Sequence, residues 1–566
     1  MKHGRTGRWR GDRRPRIGAI GALPLLALCL STRIAVAQST TPHSDGPSVT
    51  YKVAGVMVNS VTGAALAEAR VSLADTRTRK GVARQLTSEG GRFEFVGLPA
   101  GKFSLEGSKR GYISASYDQH EQYSTAIVTG PELKTDELVL RLNPVALISG
   151  HVRDENGEPV RHAQVTLFME DHRGGMNRVN RLLNATSDDL GYFDFSSLIP
   201  GMYFVSVTAT PWYAVHAPSV QTSGDNGRSG VLPALDAAYP NTYYSSATEA
   251  GDAAPIVVKA GDHPEIEVQM NPVPALHLIF HVGDNGQNGI QVPQLQKQVF
   301  DWAEPVQTGG VVSVEPGVYE LVGVPPGRYS VRMNSGTPGE MAQASEMNLS
   351  RDGEELDTSH GELLASLKIT FKMEGGEAFP NRMLIYLQDS RRRIVAGSLV
   401  NPSGEANFKG VAAGKYAIFC NTQGKAYAVT RTETAALKAS GHDVTLAAGA
   451  QQELTAWLTG GVVTLEGVVQ KAGKPVSGVM VVLIPEDPES HREYFRRDQS
   501  DFDGTFSVGF IVPGAYTIVA VEDAWGFEWL KPGVLSRYAQ HGQELTIGPL
   551  MRGAVHLPEA VEVQPK

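Results

Sequence analysis

The sequence is poor in cysteine, modest in aromatics, without a surplus of positive charge and almost without long apolar runs. Each shortage removes a class of protein. Two cysteines in 566 residues make neither a disulfide scaffold nor a cysteine-rich zinc site. A formal net charge of −9 argues against nucleic-acid binding, which favours a basic surface. After residue 37 no stretch approaches the roughly 18 apolar residues of a membrane-spanning helix. There is no G-x-S-x-G nucleophile elbow. Two near-matches to a phosphate loop, Gly97-Leu-Pro-Ala-Gly101-Lys102 and Gly410-Val-Ala-Ala-Gly414-Lys415, are one residue short, lack the following Ser/Thr and precede no helix pattern. What is abundant is turn chemistry, with 61 glycines and 33 prolines beside an apolar content of 41% that suffices for buried cores. At roughly 100–200 residues per domain the length predicts three to five domains.

The first residues read as an address. Lys2, Arg5, Arg8, Arg10, Arg13, Arg14 and Arg16 precede the apolar run Ile17 to Leu30, and Ala35-Val36-Ala37 before Gln38 is a small-x-small cleavage site. Residues 1–37 are therefore expected to be a secretory signal peptide. The alternative, an uncleaved anchor, fits a 14-residue run containing Pro24 less well. A twin-arginine signal at Arg13-Arg14 or a lipoprotein site at Cys29, with bulky Leu28 before it, also fits poorly. Cleavage leaves a net charge of −16 and an exported chain, periplasmic or extracellular, with no membrane span. Only Cys420 survives it. If its segment is a strand, Cys420 shares a face with Tyr416 and Ile418, and a buried core thiol is expected, with a reactive thiol as the alternative.

One signature recurs five times. It begins Gly91-Arg-Phe93-Glu-Phe95-Val-Gly-Leu98-Pro-Ala-Gly101-Lys-Phe103 and returns with Gly191, Phe193, Phe195, Leu198, Gly201 and Tyr203. The third copy has Gly317, Tyr319, Leu321, Val324, Gly327 and Tyr329; the fourth Gly404, Ala406, Phe408, Val411, Gly414 and Tyr416; the fifth Gly504, Phe506, Val508, Ile511, Gly514 and Tyr516. The two glycines stand ten apart each time, and apolar residues at +2 and +4 alternate as in a strand. The first glycine ends a polar turn such as Asp188-Asp189. The second follows Pro or Ala in a turn expected to need positive φ. Upstream, Gly55-Val56, Gly150-His-Val152 and Gly467-Val468 open strands, and Pro159-Val160, Ala163 and Val165, or Pro475-Val476, Val479 and Val481, mark a second strand.

This unit resembles the carboxypeptidase regulatory-like domain, a Greek-key β-sandwich of the transthyretin type. The motifs that carry the likeness are the G-x-V opening, the P-V-x-x-A-x-V second strand and the D-x-x-G-x-F-x-F-x-x-L-x-P-G-x-Y core. The fold expected is all-β, a tandem array of about five small Greek-key sandwiches. A linker is expected at 38–50 and units at 51–143, 145–271, 274–358, 360–459 and 461–566. The second carries an insertion at 206–255, and the third and fourth are degenerate. In carboxypeptidases such a domain is an appendage of a separate zinc enzyme. The H-x-x-E patterns here, His541-Gly-Gln-Glu544 and His556-Leu-Pro-Glu559, fall within the last 26 residues, too few for that enzyme. No catalysis, metal or cofactor is expected.

Several lesser patterns have a bland reading beside the functional one. His277 and His281 share a strand face but lack an evident carboxylate partner. Asp188-Asp189 and Asp501-Phe-Asp503 form turns more readily than calcium sites. Lys368 or Lys372 with Asn421 offers a lysine–asparagine cross-link without an assignable acid. Function therefore rests on surfaces and loops. Two aromatic clusters qualify by composition as sugar platforms: Trp212, Tyr213, Tyr239, Tyr243 and Tyr244 in the insertion, and Trp525, Phe527 and Trp529 in the last unit. The competing account packs these rings between modules. The expectation is an exported, non-catalytic binding protein for polysaccharide or another envelope component. The alternative is a structural or adhesive array that binds a protein partner or only its own modules.

Overall fold

The computed structural model describes residues 49–566 except 218–232, 283–291, 334–342, 357–360, 375–378, 380–381, 391–392, 422–426, 435–437 and 462. The expected signal peptide, almost all of the linker and part of the insertion lie outside the described residues. Among the described residues the regular structure is nearly all strand, in small separate sheets, as the sequence predicts. Among the described residues no helix is long and apolar enough to cross a membrane.

The first sandwich sets the pattern. Tyr51–Asn59 pairs antiparallel with Arg92–Leu98 and parallel with Leu138–Leu142. The facing sheet is built on Arg70–Asp75, flanked by Gly81–Leu86 and Gly101–Ser108. Between the layers lie Met57, Leu73, Phe93, Phe95, Phe103 and Leu140. The same mixed three-strand sheet recurs with Ala146–Arg153 between Tyr192–Leu198 and Glu265–Gln269. It recurs again with Ala365–Met373 between Glu405–Val411 and Gln451–Gly460. In the fifth sandwich Val561–Gln564 pairs with both Val463–Lys471 and Gly514–Val521, and so joins the two layers. The third departs. Leu276–His281 pairs with Val318–Val324, and its parallel partner is reduced to one bridge, Ile279 to Glu355. Each sandwich encloses its own apolar core.

The repeat explains how the layers are stitched. Its two strands do not pair with each other: Arg92–Leu98 lies in one sheet and Gly101–Ser108 in the other, so the second glycine marks the crossing. In Arg92–Leu98 the phenylalanines point inward and Arg92 and Glu94 outward, the alternation of a half-buried strand. The first glycine has φ between 70° and 82° in all five copies. Its carbonyl accepts the N–H of Met57, Val152, Val282, Phe371 or Val469 in the opening strand.

The second glycine is not among the positive-φ residues, which corrects the expectation. The left-handed residue lies six positions after the first glycine instead: Gly97, Ser197, Gly323, Gly410 and Phe510. Strand register shifts at that point in every copy, so it is a β-bulge that bends the strand toward the crossing. The second glycine is small for another reason. The aromatic two residues on folds back over it, and a Cβ at Gly414 would lie 3.2 Å from the Tyr416 hydroxyl. Tyr203, Tyr329, Tyr416 and Tyr516 each donate that hydroxyl to the carbonyl four residues upstream, at 2.6–2.8 Å. Phe103, without a hydroxyl, makes the same packing without the bond.

Candidate functional site

The insertion aromatics do not form a platform. Trp212 is 85% exposed, but Tyr213 meets it edge-on at 89°. Tyr213 and Tyr239 turn inward and both donate to Glu155, at 2.7 and 3.0 Å. Burial, then the Glu155 carboxylate, pushes the Tyr213 phenol up to about 12 and that of Tyr239 higher still. Tyr243 is wholly buried against Phe300, which enters from the third sandwich and also meets Phe168 and Phe204 at 5.0 Å. Tyr244 packs on the core of the second sandwich.

The second cluster lies where three sandwiches meet. Trp525 is buried and stacks on His120 of the first sandwich, centroids 4.9 Å apart and planes 6° apart. Its carbonyl lies 3.0 Å from His172 Nε2 of the second. Trp529 lies under the Arg497 guanidinium at 4.4 Å, and Phe527 packs on Tyr538. Arg497 is the hub. It reaches both Glu121 carboxylate oxygens, at 2.6 and 3.3 Å, and the Arg173 carbonyl at 3.2 Å. Around it Gln499 donates to the Asp118 carbonyl and to Thr125. Asp501 takes Lys102 at 2.6 Å and the Ala126 N–H at 2.9 Å. Leu530 N–H donates to Gly175, whose missing side chain makes room for Leu530. The fifth sandwich thus docks on the first and second, though it is last in sequence.

The remaining candidates resolve into ordinary partners. Asp188 caps its own turn by accepting the Leu190 and Tyr192 N–H groups. Lys368 pairs with Glu405 at 2.8 Å, Lys372 lies over Trp457, and the Asn421 side chain is outside the described residues. Cys420 is buried, and desolvation pushes its thiol up to about 12, far from the thiolate a nucleophile needs. His281 and His277 diverge: His281 meets Glu355 at the surface, while His277 is buried between Asp236 and Glu320. Asp236 comes from the insertion. It also receives His216 at 2.7 Å, so one carboxylate pairs with two imidazoles, one on each oxygen.

The sequence holds no local signal for Arg497, Glu121 or His120. Each joins a partner more than 350 residues away, and the Arg-Arg-Asp-Gln run at 496–499 reads as an exposed charged strand.

A family model for the carboxypeptidase regulatory-like domain matches residues 147–229, so the second sandwich is a domain of that kind. No curated protein matches the chain. Among solved structures, the chain is similar to the Bacillus anthracis TIE protein, at 13% identity over 74% of this chain and 76% of that one, TM-score 0.18. It is similar to a Streptococcal ancillary pilin, at 12% identity over 50% of this chain and all of that one, TM-score 0.20. It is also similar to GBS52, the minor pilin of Streptococcus agalactiae, at 11% identity over 40% and 97%, TM-score 0.20. Superpositions this loose carry nothing about role.

Proposed function

We propose that the chain is an exported, non-catalytic scaffold whose sandwiches are locked to one another and which engages an envelope protein through its exposed sheet edges. The observation that supports this reading is the use of its aromatics. Apart from Trp212, the rings that composition offers to a sugar are spent on cores and on the seams that join the first, second, third and fifth sandwiches. Three sheet edges, by contrast, keep apolar residues at the surface. Gly81–Leu86, Arg178–Thr186 and Ile394–Leu399 each end a sheet and carry exposed apolar residues, including Leu86, Leu182, Leu183 and Leu399. Such an edge presents unpaired backbone groups to an added strand and apolar pockets to its side chains. Carbohydrate binding keeps one support, exposed Trp212 beside Tyr213.

A pull-down of residues 38–566 on envelope protein fractions and on insoluble polysaccharides separates these readings. The expected result is capture of protein, weakened in a Leu183→Lys, Leu399→Lys variant and unchanged in Trp212→Ala. Saturable polysaccharide binding lost in Trp212→Ala would replace the scaffold reading with a sugar-binding one.

A further inference from the structure

Three ligand-bearing side chains converge at the seam of the fourth and fifth sandwiches. His442 stands at the head of strand Asp443–Leu446, its backbone carbonyl held by the Ile418 N–H. His491 and Glu493 come from the fifth sandwich, on the connection between Met480–Pro485 and Arg496–Gln499. Glu493 Oε1 lies 3.4 Å from His442 Nδ1 and 3.7 Å from His491 Nδ1. All three atoms are buried, and none has a hydrogen-bond partner. His442 itself is only 8% exposed. Three buried polar atoms left unsatisfied at one point are rare in a folded protein and call for a missing partner.

The geometry points to a metal ion as that partner. Metal–nitrogen and metal–oxygen bonds of about 2.0–2.2 Å at tetrahedral angles place ligand atoms about 3.4 Å apart, close to the 3.4 and 3.7 Å from Glu493 to the two imidazoles. One ligand atom from each residue lies within 4.8 Å of the others. The rings are also oriented for the task. Asp443 Oδ1 sits 3.6 Å from His442 Nε2, the ring nitrogen that faces away from the cluster. A carboxylate beside the outer ring nitrogen is the usual neighbour of a metal-binding imidazole. His491 is stacked on Tyr494 at 4.8 Å and 16°. The His216, Asp236, His277 cluster differs. There the two contacts are 2.7 and 2.8 Å, one to each carboxylate oxygen, which are ion-pair lengths with no space for a shared ion.

We propose that His442, His491 and Glu493 bind a divalent ion of the zinc class and so clamp the fourth sandwich to the fifth. Two imidazoles and one carboxylate suit Zn2+, and Co2+ as its spectroscopic substitute, better than Ca2+ or Mg2+, which prefer oxygen. His442 and Glu493 also line a hollow of about 290 Å3, together with Tyr416, Ile418 and Phe419.

The test is titration of chelator-stripped residues 38–566 with Zn2+ by calorimetry and with Co2+ by visible absorption. The expected result is one tight equivalent, a tetrahedral Co2+ spectrum, and a melting temperature raised by Zn2+. Affinity should fall at least tenfold in His491→Ala and in Glu493→Gln, with unchanged melting in chelator. His491 is partly exposed, so its replacement leaves the fold intact and decides the matter even where His442→Ala does not fold. Zn2+ binding no tighter in the parent than in the His491→Ala, Glu493→Gln double variant would overturn the proposal. So would binding that survives those changes and is lost in His277→Ala.

Discussion

Arg497 offers the sharpest test of the three-way seam. Its side chain and that of Glu121 are 2% and 7% exposed, so the pair lies in a medium that penalises any unbalanced charge. Replacing Arg497 by alanine leaves the Glu121 carboxylate buried and unpaired, removes the bond to the Arg173 carbonyl and takes the cation off the Trp529 face. Breaking one side of such a pair costs about 3–5 kcal/mol. An exposed pair such as Lys471–Glu522 is worth about 0–1 kcal/mol. The loss falls on a seam and not inside a core, so the fifth sandwich should release from the first before either unfolds. Denaturant titration followed by tryptophan emission, to which Trp525 and Trp529 at the seam contribute beside Trp212, Trp302 and Trp457, should show a new early transition in Arg497→Ala and in Glu121→Gln. Arg497→Met with Glu121→Leu removes both charges and should restore most of the lost stability. Single variants within about 0.5 kcal/mol of a Lys471→Ala control, or a double variant as damaged as the singles, would refute the reasoning.

Asp498 is held up to about 6 by burial, against an accepted bond from the Ser507 N–H that lowers it. Its unfolded value is near 3.8, so the native state holds the proton over that interval. Stability from this group therefore falls as pH rises from about 4 to 6. Asp498→Asn should raise stability at pH 7 by at most about 3 kcal/mol and leave it unchanged at pH 3.5, as read by denaturant midpoints at the two pH values. Gly191→Ala puts a Cβ 2.5 Å from the Val152 carbonyl at φ +74°, whereas Gly97→Ala at φ +73° meets nothing within 4 Å. Gly97→Ala should cost about 1 kcal/mol of backbone strain and Gly191→Ala clearly more, measured by thermal melting. Tyr416→Phe should cost about 0.5–1.5 kcal/mol in the same assay, the worth of its bond to the Ala412 carbonyl.

The fold is legible in the sequence because its determinants are local. Alternation over Phe93-Glu-Phe95 gives a strand, and the ten-residue glycine spacing gives a strand, a bulge and a crossing of constant length. The misplaced positive φ shows where local reading stops. A turn rich in Pro and Gly announces a special backbone, yet the left-handed residue is Ser197 in one copy and Phe510 in another, where no glycine flags it. The bulge is imposed by pairing with the opening strand, which is a tertiary constraint. The candidate site is less legible for the same reason carried further. Composition identifies Trp525 and Trp529 as large amphipathic rings, and such rings suit a sugar and an interface equally well. What decides between them is His120, Glu121 and Arg173, residues brought in from other modules by docking.

That docking changes what a module array can do. A string of sandwiches joined only by linkers transmits no strain from one unit to the next, because each interface can open at little cost. Here Lys102 bonds to both Asp501 and Thr505, Phe502 donates its N–H to Ala126, and Arg497 binds residues of two other sandwiches. The partners in these contacts are polar, at least partly buried and specific in direction, so the first, second and fifth sandwiches hold one arrangement. A partner strand added to the edge at Gly81–Leu86 in the first sandwich would therefore meet a fixed frame and pay little ordering entropy on binding. Loosening the frame through Arg497→Ala should then weaken capture of that partner although the edge itself is untouched, a result that an independent-module array would not give.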